Sequence, residues 1–190
     1  MEQNSMIYIW GLFAAMIAIV LGQFLFSRRR KLKFLQSVSQ GLDAEIKSRL
    51  GDPYLEIRGD GKSCRLLIKQ RPVIIILERE NSLGFKFTVD EKRSLEAKLR
   101  IDGLRTMEIG NPVIDQQITF RTNDENKARA LFLKEGCFPA IQGLMANGFR
   151  TIIASRDKIT ATKVVGIFSR ESLSPQQLKQ LATNLAGIDF

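Results

Sequence analysis

The stretch Glu56-Ile-Arg-Gly-Asp-Gly-Lys-Ser-Cys64 carries residue types found in two recognition sequences. Gly61-Lys62-Ser63 matches the tail of a phosphate-binding loop, and Arg58-Gly59-Asp60 spells an adhesion tripeptide. A phosphate loop needs Gly-x-x-x-x-Gly-Lys-Ser leading into a helix, so that backbone amides wrap the phosphate ahead of the lysine. The first glycine would stand at position 56, where the chain has Glu56, and the following Cys64-Arg-Leu-Leu-Ile-Lys69 reads as a strand. An adhesion tripeptide requires an extracellular loop, which the charge distribution given below opposes. A tight turn needs only glycines able to take positive φ beside an aspartate, and the stretch predicts a hairpin turn.

Other groups able to do chemistry are sparse. The chain has no histidine, which removes the commonest general base and metal ligand. Cys64 and Cys137 form no CxxC and are too few for a zinc site, so buried free thiols are expected. Glu78 with Glu80, or Asp115 with Asp124, are the carboxylates that could act as an acid–base pair. Arg65, Lys69 and Arg71, or Arg150, Arg156 and Lys158, could form basic patches, although no aromatic residues are interleaved with them. With no GxSxG elbow and no nucleophile–base set, the expectation is a non-enzymatic chain with no catalytic residue, no cofactor and no metal.

The elements that would position these groups begin with an anchor. Met6 to Phe26 runs 21 residues without a charge, about 30 Å as a helix and enough for a bilayer core. Tyr8 and Trp10 stand at its N-terminal edge, where amphipathic rings favour the headgroup level. A cleaved signal peptide would have a basic start and a shorter apolar run; here the start carries Glu2 and no basic residue. Arg28, Arg29, Arg30, Lys31 and Lys33 follow the span at once. The positive-inside rule then predicts a short outside tail (1–5), a single span (6–26) in the inner (cytoplasmic) membrane, and everything after it in the cytosol. The basic cluster would also contact anionic headgroups. Without it the chain from Phe34 onward is only mildly basic, which hardly argues for nucleic acid.

Leu35, Val38, Leu42, Ile46 and Leu50 recur at helical spacing, which predicts an amphipathic stalk within segment 27–50, bent near Gly41 and ended by Gly51 and Pro53. Its stripe is expected to pack on its own domain, the alternative being that it pairs with another chain or lies on the membrane. The remainder, 51–190, reads as one cytosolic α+β domain. Tyr54–Arg58, Ser63–Lys69 and Val73–Arg79 read as strands joined by short connections, as do Phe85–Val89 and Ser94–Asp102. Thr106–Ile109 and Gln116–Thr122 follow around a turn at Asn111-Pro112. Thr122 to Glu125 predicts a capping box opening a helix through Glu135, and Pro139–Gly148 a second helical piece. Arg150–Ser155 and Lys158–Val165 predict a hairpin. Ser174-Pro175-Gln-Gln177 opens a last helix with Leu178, Leu181, Ala182 and Leu185 on one face. The predicted fold is a largely antiparallel sheet with two or three packed helices behind a stalk and one transmembrane helix.

The segment Ile118-Thr-Phe-Arg-Thr-Asn-Asp-Glu-Asn-Lys-Ala-Arg-Ala-Leu-Phe-Leu133, followed by Gly143-Leu-Met-Ala-Asn-Gly148 and a strand pair, resembles a bacterial group of membrane-anchored proteins. In that group one or two N-terminal spans precede a cytosolic α+β domain of unknown function. The resemblance implies a tethered, non-enzymatic module and carries over no functional residue. Together these readings point to an accessory or assembly subunit of a membrane complex, whose partners are the bilayer and other membrane-protein subunits. The alternative is a tethered sensor that binds anionic lipid or a small ligand.

Overall fold

With no charge to oppose burial in lipid and no proline to break it, the N-terminal segment is free to stay helical. In the computed structural model it does so without interruption as α1 (Glu2–Ser39). The structure describes residues 2–42, 44–59, 62–70, 73–80, 83–92, 103–155, 157–165 and 173–188. From Trp10 to Phe26 the apolar part of α1 is solvent-facing, with Leu12, Ile19, Val20 and Phe24 among its exposed side chains. Its last turns behave differently. Leu35 and Val38, four and seven residues after Lys31, are buried in the core of the domain, against β1 (Ala44–Arg49) and β2 (Asp52–Gly59).

The stalk expected to reach Leu50 therefore ends eleven residues early, and its stripe splits. Leu35 and Val38 are buried and Leu42 is packed against the core, yet Ile46 is exposed and Leu50 entirely so. Two contacts decide this. Gly41 lies so close to Pro175 that an added Cβ would sit 3.0 Å from the proline Cβ, which fixes the end of α1 against the start of the last helix. Beyond it, Ala44–Arg49 finds a backbone partner in β2, from Ala44 opposite Ile57 to Arg49 opposite Asp52. A ladder of main-chain hydrogen bonds outweighs a helical repeat of two exposed apolar residues. β1 is an edge strand rich in charge, with Lys47 bonded to Glu56 and Arg58 3.3 Å from Glu45, a composition that resists further pairing.

β3 (Lys62–Gln70) and β4 (Val73–Glu80) complete an antiparallel meander. Gly59 lies opposite Lys62, so the opening stretch connects two strands of one hairpin; Asp60 and Gly61 themselves lie outside the described residues. After β4 the spatial order departs from the chain order. With β5 (Phe87–Glu91), β6 (Arg105–Met107), β7 (Ile118–Thr122), β8 (Thr151–Ala154) and β9 (Lys158–Val165), the described strands form one antiparallel sheet in the order β1-β2-β3-β4-β9-β8-β5-β7-β6. The β8–β9 hairpin thus stands between β4 and β5. The sequence predicts that hairpin but not its insertion.

Alternation places Leu55, Ile57, Cys64, Leu66, Leu77, Ile159 and Ala161 on one face. That face is covered by the end of α1 and by α5 (Pro175–Gly187), which lies on β2, β3 and β4. α5 opens as predicted, with Ser174 and Gln177 exchanging capping hydrogen bonds. The helix α3 (Glu125–Leu133) opens differently from expectation: Asp124, not Thr122, accepts from the Lys127 amide. The Thr122 hydroxyl instead donates to the Lys86 carbonyl, inside the sheet's hydrogen-bonding network. α4 (Cys137–Ala146) begins two residues before Pro139, which sits in the first turn, where its missing N–H costs nothing. Gln116 and Gln117, expected on a strand, belong to the short helix α2 (Pro112–Gln117). The expected strand Ser94–Asp102 lies outside the described residues. Phe85, Phe87 and Val89 are fully buried as their alternation predicts.

Candidate functional site

The strands between β1 and β4 have two ends, and the residues that could contact other molecules separate between them. The proximal end lies beside the apolar part of α1. Its reference point is Lys31, whose ammonium is 2.6 Å from the Asp52 carboxylate at the start of β2. The lysine is 7 % exposed and the aspartate 66 %, so the aliphatic stem is buried while the charge meets a partner at the surface. Of the basic cluster expected to contact lipid, Arg28, Arg29, Arg30 and Lys33 are exposed, whereas Lys31 is taken into the joint between helix and sheet. The Arg30 guanidinium also lies 4.5 Å from the centre of the Phe26 ring. Trp10 is exposed and meets Phe13 edge to face; the side chain of Tyr8 lies outside the described residues.

Arg49 and Asp52 are paired across a two-residue turn made by Leu50 and Gly51, both with positive φ (51° and 80°). Positive φ at both central positions is the signature of the type I′ hairpin turn, which favours Asn-Gly or Asp-Gly. This turn borders an open groove of about 340 Å³ whose walls include Phe24, Ser27, Arg28, Lys31 and Lys69. The tip of the β1–β2 hairpin therefore sits level with the last apolar turn of α1 and its first arginine.

The far end holds Glu78, Glu80, Arg65 and Lys158 from the groups that the sequence offered as chemistry, and each is engaged locally. Glu78 accepts a 2.8 Å hydrogen bond from Lys158, and Glu80 lies 3.5 Å from Arg65. Ser155 donates to Asp157, which holds that carboxyl below its ordinary range. The second carboxylate pair is not assembled. Asp115 accepts from the amides of Ile109 and Gly110, closing the turn into α2, while Asp124 caps α3. Among the described residues Lys69 is exposed at the proximal end, apart from Arg65, and Arg150 is near Glu91 at 3.7 Å, apart from Lys158; Arg71 and Arg156 lie outside the described residues. Cys64 and Cys137 are buried and free, and burial pushes both thiols up to about 12. Among the described residues no group of three His, Cys, Asp or Glu side chains could hold a metal ion.

Two features have no local sequence signal. Asp90 and Arg121 form an ion pair of 2.9 Å, with side chains 1 % and 7 % exposed, joining β5 to β7. They stand 31 residues apart, and only the pairing of the strands brings them together. The other is an open groove of about 860 Å³ with a mainly apolar lining that includes Ile114, Ile118, Phe138, Ile141 and Phe149, together with Lys92 and with Arg150 beside Glu91. Such a groove can accept an apolar ligand that carries a negative group.

No family model matches the chain, and no curated protein sequence matches it. Among solved structures, the crystal structure of the mycobacterial trehalose monomycolate transport factor A, TtfA, is similar, with a TM-score of 0.53 over 84 % of this chain and 90 % of that one. At 11 % sequence identity the likeness is one of fold.

Proposed function

We propose that this chain is a single-pass, membrane-anchored, non-catalytic accessory or assembly subunit of a membrane protein complex, with a cytosolic domain that binds other proteins. One observation carries the reading. The apolar part of α1 projects exposed from the domain, long and apolar enough to cross a membrane, while its last turns are built into the domain core. No linker separates anchor from sheet, so the domain would be held at a fixed height beside the bilayer, as a scaffold for a neighbouring subunit requires. The basic residues after the apolar run favour an outside N-terminus and a cytosolic domain in the inner membrane. The similarly folded TtfA is named as a transport factor, which agrees with an accessory role, as does the resemblance to bacterial tethered α+β domains. The carboxylates bound up in caps and ion pairs favour a non-catalytic domain. Purification of the native chain in gentle detergent, followed by mass spectrometry of what stays bound, tests this. Recovery of a fixed set of integral-membrane partners is expected; a lone monomer would sink the reading.

The groove beside α2 and α4 favours a second reading, a tethered sensor for an amphipathic anion. Its volume and apolar lining suit an acyl chain, and Lys92 and Arg150 suit a headgroup. Binding of a fluorescent fatty acid that is lost in Phe138→Asp would support it, and the absence of saturable binding would dismiss it.

A further inference from the structure

Leu50 is a poor choice for its place in the fold. It is 102 % exposed, and among the described residues it is the one non-glycine with positive φ. A left-handed backbone costs an L-residue energy unless it is Gly, Asn or Asp, and an exposed leucine recovers nothing from the protein itself. What distinguishes Leu50 from other exposed apolar residues such as Leu133 is its left-handed backbone and its place in a groove shared with α1. The joint between α1 and β2 shows what lies there. Lys31 bonds Asp52, and the end of α1 near Ser39 leads through Leu42 to Ala44 at the other end of β1. β1 thus runs back along α1 toward the apolar run, and the turn at Leu50 and Gly51 is its point of return. Phe24 and Arg28 stand on the opposite wall of the same groove. These residues span the change from the uncharged segment to the basic one, where a spanning helix leaves the hydrocarbon.

We propose that the β1–β2 turn is a second membrane contact, inserting Leu50 into the interfacial layer of the bilayer while Arg28 and Lys69 meet anionic headgroups. The inference rests on α1 being a membrane span. Two contacts, one helix and one hairpin tip, fix the tilt of the domain against the bilayer, which a single span leaves open. The occupant is lipid, since the site is continuous with the anchor and flanked by cations.

Site-specific spin labelling tests it on the full chain, one copy per nanodisc, in a bilayer containing anionic lipid. Leu50→Cys is labelled alongside Ile17→Cys in the span and Ser63→Cys at the far end. The native thiols are buried and stay protonated at labelling pH. Accessibility to oxygen over a water-soluble nickel chelate should be several-fold higher at position 50 than at 63, approaching that at 17. If position 50 matches 63 while 17 reads lipid, the hairpin contact is overturned and the anchor stands. If 17 also reads water, the proposed anchoring falls and takes the hairpin contact with it. Hydroxyl-radical footprinting of the unaltered chain gives an independent reading. Leu50 and Leu133 are both fully or largely exposed, so protection of Leu50 relative to Leu133 in nanodiscs is expected, and equal oxidation would overturn the proposal.

Discussion

The two ends of the β1–β4 meander follow different rules. At the far end, charged residues are paired across neighbouring strands, Glu78 with Lys158 and Arg65 with Glu80. At the proximal end a leucine occupies a left-handed position, and a lysine is buried to reach a half-exposed carboxylate. The far end satisfies itself, as a surface bathed in water should. The proximal end is locally suboptimal because its remaining partners are α1 and whatever surrounds α1. Departures from local propensity concentrate where a domain meets something outside it.

Changes at the joint sharpen that contrast most. Leu35→Ala removes a fully buried side chain where α1 meets the sheet, and a loss of about 2–5 kcal/mol is expected, read as a lowered midpoint in thermal or denaturant unfolding in detergent. A change of under 1 kcal/mol would mean the helix end is only resting on the domain. Alkaline unfolding probes the core common to both ends. Cys64 and Cys137 stay protonated in the fold up to about 12, against an ordinary value of 9.0. Over that window the folded state binds more protons than the unfolded one, so stability falls as pH rises from 9 toward 12 and is unaffected by these groups below it. Cys64→Ala should flatten that part of the pH profile, and an unchanged slope would assign the loss to other groups.

Smaller effects separate the two ends directly. Lys31→Ala should cost about 1–2 kcal/mol, since it loses a charged hydrogen bond and a packed aliphatic stem. Glu78→Gln at the far end should cost well under 1 kcal/mol, as expected of a partly solvated pair. Equal costs would erase the distinction. Leu50→Asn should stabilise the fold in detergent by about 1 kcal/mol, because asparagine tolerates the left-handed backbone; no gain in melting temperature would show that the turn carries no strain.

Much of the architecture was legible in the sequence, and the misses share a cause. The Ser174 cap, the β8–β9 hairpin and the buried alternation of Phe85, Phe87 and Val89 depend on residues within a few positions of each other. The stalk expectation fails beyond Ser39 because the spacing of Leu42, Ile46 and Leu50 is compatible with a helix, whereas the winning interaction, pairing with β2, is not visible in that segment alone. Asp124 displaced Thr122 as the cap because β7 continues through Thr122, whose hydroxyl is held by Lys86 across the sheet. The five basic residues were seen as one cluster; the fold divides them, since helical spacing turns Lys31 toward the sheet with Leu35 and Val38.

By itself the sequence determined the apolar run and its flanking charge, the α+β composition, the β2–β3 and β8–β9 hairpins and the absence of histidine chemistry, because each follows from residue type or from spacing shorter than one element. Only the tertiary structure decided the strand order, the burial of Asp90 with Arg121, the groove beside α4, and the return of β1 toward the apolar part of α1. Those depend on which backbone edges and apolar faces meet across long stretches of chain, and that choice is made by the summed pairing and burial of the whole domain.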